Sequence, residues 1–244
     1  MSRRSQEPME QPAILPTDFM AVTDESNNRL PVTLEQRGVS ADHRMFSPAA
    51  ARNSAPILEV LKRTLPANGV VLEIGCGTCE HAVQFAGAMP NLTWLPSDPD
   101  SDSRASTASW IKFTGLSNVL PPLDIDVCAK SWGVEQTAPF DAIVSLNMVH
   151  IAPWAASLGL FAGAGRLLRV GGLLFLYGAF MRDGVHSAPS NAAFDASLKA
   201  RNPSWGVRDI AELERLGESS GLSLRETIEM PANNMSLVFL KGGR

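Results

Sequence analysis

Short apolar runs alternate with longer amphipathic stretches along most of the chain. The apolar runs suit buried parallel strands, and they cover Val70–Ile74, Leu92–Pro96, Val119–Ile125, Phe140–Leu146 and Leu173–Ala179. The stretches after the first, second and fourth runs predict helices over Cys79–Met89, Asp100–Phe113 and Ala155–Leu168. Because strands that alternate with helices form parallel sheets, the pattern predicts a doubly wound α/β fold.

The N-terminal part of the chain departs from this alternation. Residues 1–41 are rich in Pro, Ser, Asn and Asp and show no sustained apolar period, which predicts an irregular N-terminal extension. Ser47 and Pro48 form a helix start, with a hydroxyl cap and a proline in the first turn. This lead-in helix could restart at Ser54–Pro56. The folded domain is therefore expected over residues 42–244.

The C-terminal quarter predicts two further helices and a β-hairpin. The helices cover Asn191–Lys199 and Ile210–Ser220. Two short strands, Ser223–Glu229 and Ser236–Leu240, flank a turn signal at Pro231–Asn234. This order of elements differs from the strand–helix alternation that precedes it.

Composition narrows the class of protein. The chain has 244 residues, of which 45% are hydrophobic and 19% charged, so it can bury a full core in one domain. No apolar stretch is long enough to cross a bilayer, and Met1–Gln11 lacks the apolar core of a secretory signal. We therefore expect a cytoplasmic protein with no membrane partner. The formal net charge of −4 argues against nucleic acid as a partner and favours a small molecule.

The first strand runs directly into a glycine turn. Gly75 and Gly77 allow the backbone to turn tightly and to approach a ligand without a Cβ in the way. Asp98 follows the second strand, and a carboxylate at that strand tip can accept both hydroxyls of a ribose. Together these residues predict a site for a nucleoside-containing cofactor, although a Gly-x-Gly turn by itself also occurs for structural reasons.

The residues around the turn favour one cofactor over another. Dinucleotide-binding turns have a glycine at the sixth position, where pyrophosphate meets the helix, and this chain has Glu80 there. That carboxylate would repel pyrophosphate, whereas Glu73 suits a cationic ligand group. S-adenosylmethionine (SAM) carries a sulfonium and an ammonium group and no phosphate, and it is the cofactor that we expect.

The pattern Glu73-x-Gly75-x-Gly77 resembles motif I of the class I SAM-dependent methyltransferases, with Cys79 in place of their common third glycine. Three further stretches are similar to the methyltransferase-like protein 26 family, the domain of unknown function 938. They are Arg44–Asn53, Arg201–Asp209 and Met230–Asn234. The resemblance covers residues 42–242 and strengthens the expectation of SAM as cofactor, while it leaves the methyl acceptor open.

The resemblance implies a Rossmann-like fold, with a seven-stranded, mostly parallel sheet, helices on both faces and a C-terminal antiparallel hairpin. It also implies that the cofactor contacts lie at the tips of the strands. Asp98 would take the ribose hydroxyls, Asp126 with Val127 the adenine edge, and Gly75 the methionine part. Asp126 could instead be a solvated acid in a turn.

Candidate catalytic residues lie at the carboxyl ends of strands four and five. Asn147 follows the fourth strand and is expected to contact the cofactor, and His150 lies just beyond it. His150 could accept a proton from the acceptor or shape the pocket. Tyr177, the only tyrosine, ends the fifth strand near the same edge. Both side chains could instead be structural, since methyl transfer depends mainly on alignment and desolvation.

Five residues are candidates for binding the acceptor: Arg52, Asn53, Arg201, Trp205 and Arg208. They belong to the lead-in helix and to the segment between strand five and the hairpin, which would lie over the mouth of the cofactor site. Arginine binds carboxylate bidentately and tryptophan offers a stacking face, so we expect an anionic or aromatic small-molecule acceptor. Arg208 could instead pair within a helix start.

Alternative functions remain open on the sequence. Cys76 and Cys79 form a Cys-x-x-Cys pair followed by His81, as in redox or zinc sites, but zinc needs four ligands and no second pair exists. We therefore expect no metal. A protein could also use the same site to sense or sequester SAM without turnover. A nicotinamide oxidoreductase would need a cofactor that Glu80 opposes, and homodimer formation is left open.

Overall fold

The computed structural model describes residues 37–243, so most of the expected N-terminal extension, residues 1–36, lies outside the described residues. In chain order, the first elements are β1 (Gly38–Val39), β2 (Met45–Phe46), α1 (Pro48–Thr64), β3 (Gly69–Ile74), α2 (Glu80–Ala88), β4 (Leu92–Ser97), α3 (Ser101–Thr114) and β5 (Phe140–Leu146). They are followed by α4 (Trp154–Leu167), β6 (Leu168–Gly178), β7 (Phe180–Arg182), β8 (Val185–His186), α5 (Pro189–Arg201), β9 (Arg208–Asp209), α6 (Ile210–Ser219), β10 (Leu222–Met230) and β11 (Asn234–Lys241).

The central sheet has the strand order β10-β11-β6-β5-β3-β4. The strands β3, β4, β5 and β6 run parallel, whereas β11 pairs antiparallel with β6 and β10 pairs antiparallel with β11. The predicted C-terminal hairpin is thus confirmed, and it extends the sheet beyond β6. The sequence pattern did not predict the small sheet of β8, β7 and β9 that follows β6.

The central sheet contains six strands rather than the expected seven. The run Val119–Ile125 lies alongside β4 but makes only isolated bridges with it, at Val119 and Leu123. Between these bridges lie Pro121 and Pro122, which have no N–H group to donate to a neighbouring strand. The run therefore has the apolar pattern of a strand, but its prolines prevent a continuous ladder.

The lead-in helix α1 begins as predicted and does not restart. Ser47 Oγ accepts a hydrogen bond from Ala50 N at 3.4 Å, which caps the first turn. The helix then runs through Pro56, although proline removes one backbone hydrogen bond. Ile57 and Leu61 are fully buried just beyond it, and this packing keeps the helix continuous.

The side chains of the sheet contribute to two hydrophobic clusters, one on each face. On β5, Ile143 belongs to the first cluster and the next residue, Val144, to the second, as the alternation along a strand requires. Buried residues of α4 and α6 belong to the first cluster, and those of α1 and α2 to the second. Helices therefore cover both faces, which explains why the parallel strands are continuous apolar runs in the sequence.

We expect Phe161→Ala on α4 to lower the free energy of unfolding by about 3–5 kcal/mol. The Phe161 side chain is 0% exposed, and its ring meets that of Phe239 edge to face, with centroids 5.0 Å apart. Leu158→Ala on the same helix is the matched control, because Leu158 is 47% exposed. Its loss should cost less than about 1 kcal/mol. Urea denaturation measures both variants, and equal midpoints would contradict this packing.

Candidate functional site

The turn after β3 has a backbone conformation that favours glycine. Gly75 and Gly77 have φ angles of +71° and +56°, in the left-handed region. A Cβ on Gly75 would lie 2.9 Å from Cγ of Met148, so the turn packs closely against the segment after β5. Cys79 precedes α2 and also has a left-handed φ, of 68°. The turn thus keeps glycine-type geometry even where a cysteine replaces the third glycine.

Asp98 closes this turn from the tip of β4. Its Oδ2 accepts a hydrogen bond from Gly77 N at 2.9 Å, and its Oδ1 accepts one from Asp100 N at 2.9 Å. Arg104 Nη1 donates to the Asp98 carbonyl oxygen at 2.9 Å, which joins the strand tip to α3. Each carboxylate oxygen has a second lone pair, so Asp98 can still accept further hydrogen bonds.

Glu73 lies beneath the turn and is 1% exposed. Its Oε2 accepts a hydrogen bond from Trp94 Nε1 at 2.6 Å, which directs the carboxyl group toward the interior. Burial is the main cause that raises the pKa of Glu73 to about 7; the charge of Asp98 adds to the rise, and the bond from Trp94 opposes it. Glu73 is therefore partly protonated at neutral pH.

The two residues expected at the adenine edge lie just beyond the proline-interrupted run. Asp126 is exposed, and its Oδ1 accepts a hydrogen bond from Cys128 N at 2.9 Å. The Val127 side chain is buried in the cluster that α4 and α6 cover. A Cβ on Gly159 of α4 would lie 2.0 Å from the Val127 carbonyl oxygen, so this segment packs directly against that helix. The exposed carboxylate of Asp126 fits both a ligand contact and a solvated turn.

Asn147 and His150 follow β5 at its carboxyl end. Asn147 N donates to the Tyr177 carbonyl oxygen at 2.7 Å, which joins the tips of β5 and β6. The His150 side chain is 0% exposed, and within residues 37–243 neither of its ring nitrogens has a hydrogen-bond partner. A Cβ on Gly178 would lie 2.2 Å from His150 Nε2, so a side chain at that position would displace the ring.

The buried imidazole of His150 is neutral. Burial, and to a lesser extent the charge of Arg208, lowers the pKa of His150 to about 3, and the nearby Gly206 backbone offsets part of this effect. A neutral imidazole has one nitrogen that donates and one that accepts a hydrogen bond. The ring is packed in the interior, beside Gly178 and the Gly206 backbone.

Arg208 holds the segment around His150. Its Nε donates to the Val149 carbonyl oxygen at 2.9 Å. Its Nη2 donates to the carbonyl oxygens of Ala152, at 2.6 Å, and Ser204, at 3.1 Å. The guanidinium is therefore engaged with the backbone, and its role in acceptor binding stays a prediction.

Arg201 is the last residue of α5, and Trp205 lies in the segment that follows the helix. Arg201 is exposed at the end of the helix, and Trp205 is half-buried in the turn after it. Gly206 N donates to the His150 carbonyl oxygen at 3.0 Å. The segment thus packs beside the residues that follow β5, and its position over the mouth of the cofactor site stays a prediction.

Tyr177 and two residues of α1 come together on the face that α1 and α2 cover. The Tyr177 side chain is buried in the second cluster, near the side-chain amides of Asn53 and Asn234. Burial raises the pKa of the Tyr177 hydroxyl above its ordinary value; the two amides and the charge of Arg52 offset part of this rise. Tyr177 therefore remains protonated at physiological pH.

His81 contacts Asn53 of α1, although in the sequence it stands out only as a neighbour of the cysteine pair. His81 is on the first turn of α2, and its Nε2 lies 2.7 Å from Asn53 Oδ1. Burial lowers the pKa of His81 to about 4, so its ring is neutral. The position of His81 on the first turn after Gly77 is the signal that could have placed it at the site.

The family model described as protein of unknown function DUF938 matches residues 44–241. The chain belongs to the DUF938 family. This family match covers almost the same residues as the resemblance stated from the sequence, and it includes every candidate site residue.

Solved methyltransferase structures share the fold of this DUF938 chain at low sequence identity. An O-methyltransferase family protein from Burkholderia thailandensis has a TM-score of 0.68 and 16% identity, over 80% of this chain and 58% of that one. Human N-acetylserotonin methyltransferase in complex with SAM has a TM-score of 0.67 and 11% identity, over 80% and 53%. CalO1, a methyltransferase in calicheamicin biosynthesis in its S-adenosylhomocysteine-bound form, has a TM-score of 0.61 and 18% identity, over 78% and 54%. The chain spans a little over half the length of these proteins.

The cysteine pair of the DUF938 chain lacks the properties of a redox site. Cys76 and Cys79 are buried, free thiols. Contact with the Cys79 thiol, together with burial, raises the pKa of Cys76 well above its ordinary value, whereas redox-active cysteines have a lowered pKa. In the described part of the chain, no three His, Cys, Asp or Glu side chains group in a way that could hold a metal ion.

The helices of residues 37–243 include none with the length and apolarity that a membrane span requires. The longest of them, α1, carries basic residues in its last turn and packs one face into the second cluster.

We expect Glu73→Gln to remove a pH-dependent loss of stability. Because the pKa of Glu73 is raised from 4.5 to about 7, the folded chain binds this proton more tightly than the unfolded chain. The resulting stabilisation is complete below the unfolded pKa and is lost as the pH rises through the folded pKa. The full effect is about 3 kcal/mol. Urea denaturation of both chains from about pH 5 to 8 measures it; parallel stability profiles would contradict a buried, shifted Glu73.

Proposed function

We propose that this DUF938 chain is a SAM-dependent methyltransferase that moves a methyl group, in one in-line displacement, to a small-molecule acceptor of anionic or aromatic character. The observation that carries the proposal is Asp98, whose carboxylate bonds to Gly77 N and retains the capacity to accept two ribose hydroxyls. The shared fold with methyltransferases that were solved with SAM or S-adenosylhomocysteine supports the same cofactor.

The residues around the turn fit SAM better than a dinucleotide. A pyrophosphate binds to the N–H groups at the N-terminus of the helix that follows such a turn. Here that helix begins with Glu80, which is buried and whose Oε2 accepts hydrogen bonds from Ser47 N and Thr78 Oγ1. The start of α2 thus already carries a carboxylate, which favours a ligand without phosphate.

In the proposed complex, each strand tip contacts a different part of SAM. Asp98 accepts the ribose hydroxyls, and Asp126 with Val127 borders the adenine. The glycines of the turn admit the methionine part, with Asn147 on its other side. Glu73 contributes its carboxyl group to the cofactor site from beneath the turn. The hydrogen bond from Trp94 holds that group in the interior.

SAM, when bound, supplies a methyl group on a sulfonium that leaves readily once a nucleophile is aligned behind it. The chain contributes alignment and exclusion of water. We assign His150 to shaping the acceptor side, because its buried, neutral ring can accept a hydrogen bond from an O–H or N–H group of the acceptor.

A protein that senses or sequesters SAM without turnover is the alternative. Such a protein needs the glycine turn and Asp98, but it needs no acceptor pocket beside them. The fold shared with solved methyltransferases supports the enzyme.

The expected partners, location and self-association of the protein stay predictions. The net charge of −4 supports a small molecule over nucleic acid as the partner. A cytoplasmic location, the absence of a membrane partner, the domain start at residue 42 and self-association into a homodimer belong to the same proposal.

We expect Asp98→Ala to weaken the binding of S-adenosylhomocysteine by about 1–3 kcal/mol, through loss of a charge-assisted ribose contact. Asp102→Ala removes an equal charge from an exposed position on α3 and should leave the affinity unchanged. Calorimetric titration measures both variants, with NAD as the control ligand. A folded Asp98→Ala variant that binds S-adenosylhomocysteine with wild-type affinity would contradict the cofactor assignment.

We expect His150→Gln to lower kcat by about tenfold, the effect of disturbing one hydrogen bond that aligns the acceptor. The assay follows a labelled methyl group from SAM to an acceptor that the wild-type chain turns over. Affinity for S-adenosylhomocysteine should stay within about twofold, because His150 is not among the proposed cofactor contacts. A wild-type kcat in this variant would contradict a contact between His150 and the acceptor.

A further inference from the structure

Arg37, the first residue that the structure describes, lies beside the glycine turn. A Cβ on Gly77 would lie 3.3 Å from Arg37 Nη2 and 3.9 Å from Arg37 Cζ. The guanidinium therefore borders the space that the missing side chain of Gly77 leaves open. Gly77 thus has the carboxylate of Asp98 at its N–H group and a cation near its α-carbon.

A small hairpin determines where the backbone of Arg37 lies. Its strands, β1 and β2, pair antiparallel, with Gly38 opposite Phe46. Ser40 N donates to the Arg44 carbonyl oxygen at 2.9 Å and closes the connection between the strands. Arg37 directly precedes β1, so it is one residue away from a paired position of this β1–β2 hairpin.

Hydrogen bonds anchor the β1–β2 hairpin to α3 and to the glycine turn. Met45 N donates to Ser106 Oγ at 2.9 Å, and Trp110 Nε1 donates to the Met45 carbonyl oxygen at 3.1 Å. Ser106 Oγ in turn donates to the carbonyl oxygen of Thr78, the residue after Gly77, at 3.0 Å. One buried serine therefore connects the hairpin with the turn beside which Arg37 lies.

The second arginine of this region, Arg44, has structural partners. Its guanidinium lies over the ring of Phe113, 3.5 Å from the centroid, and over that of Trp110, at 4.8 Å. Its Nε donates to Asp42 Oδ2 at 2.8 Å. Arg44 thus fastens the hairpin to α3.

Arg37, by contrast, keeps donors for a ligand. The residue is exposed, and no hydrogen bond or ion pair joins its guanidinium to another of the residues 37–243. A guanidinium carries five N–H groups in a planar fork that matches a carboxylate. Its charge reaches the tip of β4: the hydrogen bonds from Ser103 are the main cause that lowers the pKa of Asp100, and the charge of Arg37 adds to this effect.

The charges on SAM decide which of its groups a cation beside Gly77 can bind. The sulfonium and the ammonium group are positive and would be repelled, and adenine and ribose carry no charge. The carboxylate of the methionine part is the anionic group, and a guanidinium can donate to both of its oxygens. The glycines of the turn are proposed to admit this same part of the cofactor.

We propose that Arg37 binds the carboxylate of the methionine part of SAM. The inference rests on the proposed function for the identity of the cofactor. Asp98 then holds the nucleoside end of the cofactor and Arg37 its amino-acid end. The β1–β2 hairpin becomes part of the cofactor site, and the site favours SAM over adenosine thioethers that lack the carboxylate.

Calorimetric titration of the full chain with two ligands tests this contact. S-adenosylhomocysteine carries the carboxylate, whereas decarboxylated S-adenosylhomocysteine keeps the adenosine, the thioether and the amine without it. We expect wild type to bind the first ligand at least about tenfold more tightly than the second. Arg37→Gln should weaken the binding of S-adenosylhomocysteine by about tenfold, as expected for a hydrogen bond to a charged group. It should not weaken the binding of the decarboxylated ligand, which has no partner for the guanidinium.

Two further variants separate the guanidinium from its charge. Arg215→Gln removes an equal charge from an exposed position on α6 and should leave both affinities within about twofold of wild type. Arg37→Lys keeps the positive charge but loses the planar fork. It should bind S-adenosylhomocysteine more tightly than Arg37→Gln and less tightly than wild type.

Three results would overturn the carboxylate contact: equal affinity of wild type for the two ligands, equal affinity of wild type and Arg37→Gln for S-adenosylhomocysteine, or an equal loss of affinity for both ligands in Arg37→Gln. The first comparison uses wild-type chain and does not depend on whether a variant folds. If wild type binds neither ligand, the proposed function itself fails. If it binds S-adenosylhomocysteine and the comparisons fail, only the contact with Arg37 is lost.

Discussion

The hydrogen bonds between the glycine turn and the tip of β4 are the constraint on which the candidate site depends. Cys76 N donates to the Ser97 carbonyl oxygen at 2.9 Å, and Gly77 N donates to Asp98 Oδ2 at 2.9 Å. These bonds hold the turn against the neighbouring strand, and they direct the carboxylate of Asp98 toward the edge of the sheet. They also determine where α2 starts and thus where its first-turn side chain, His81, meets α1.

Burial gives this edge of the sheet its chemical character. The pKa values of Glu73, His81, His150 and Tyr177 all move in the direction that favours the neutral form. Charge at the site therefore comes from side chains closer to solvent. In methyl transfer, the positive charge of the sulfonium is dispersed as the methyl group moves. A water-poor site suits this reaction, because it does not stabilise the more concentrated charge of the ground state.

Hydrogen bonds to the backbone hold the segments after β5 and after α5 in place, on the side where we propose that the acceptor binds. Arg208 bonds to backbone carbonyl oxygens of the segment after β5. Asp195 on α5 is buried, and it accepts hydrogen bonds from Val207 N at 2.8 Å and from Lys199 Nζ at 2.6 Å. Together these bonds keep the segment after α5 against His150. The stretch that resembles the family is therefore, in this chain, first of all a structural unit.

Local patterns of apolar residues, glycines and caps were enough to predict the alternating strands and helices, the C-terminal hairpin and the glycine turn. The sequence also placed Asp98 and His150 correctly at strand tips, since parallel strands bring their carboxyl ends to one edge. The third apolar run, Val119–Ile125, was predicted as a strand from its apolar residues, but Pro121 and Pro122 interrupt its pairing with β4. The directions and partners of the side chains follow from the folded structure: Glu73 turns inward, Arg208 binds backbone carbonyl oxygens, and His81 contacts α1. These contacts join residues far apart in the chain, and no local pattern encodes such pairings.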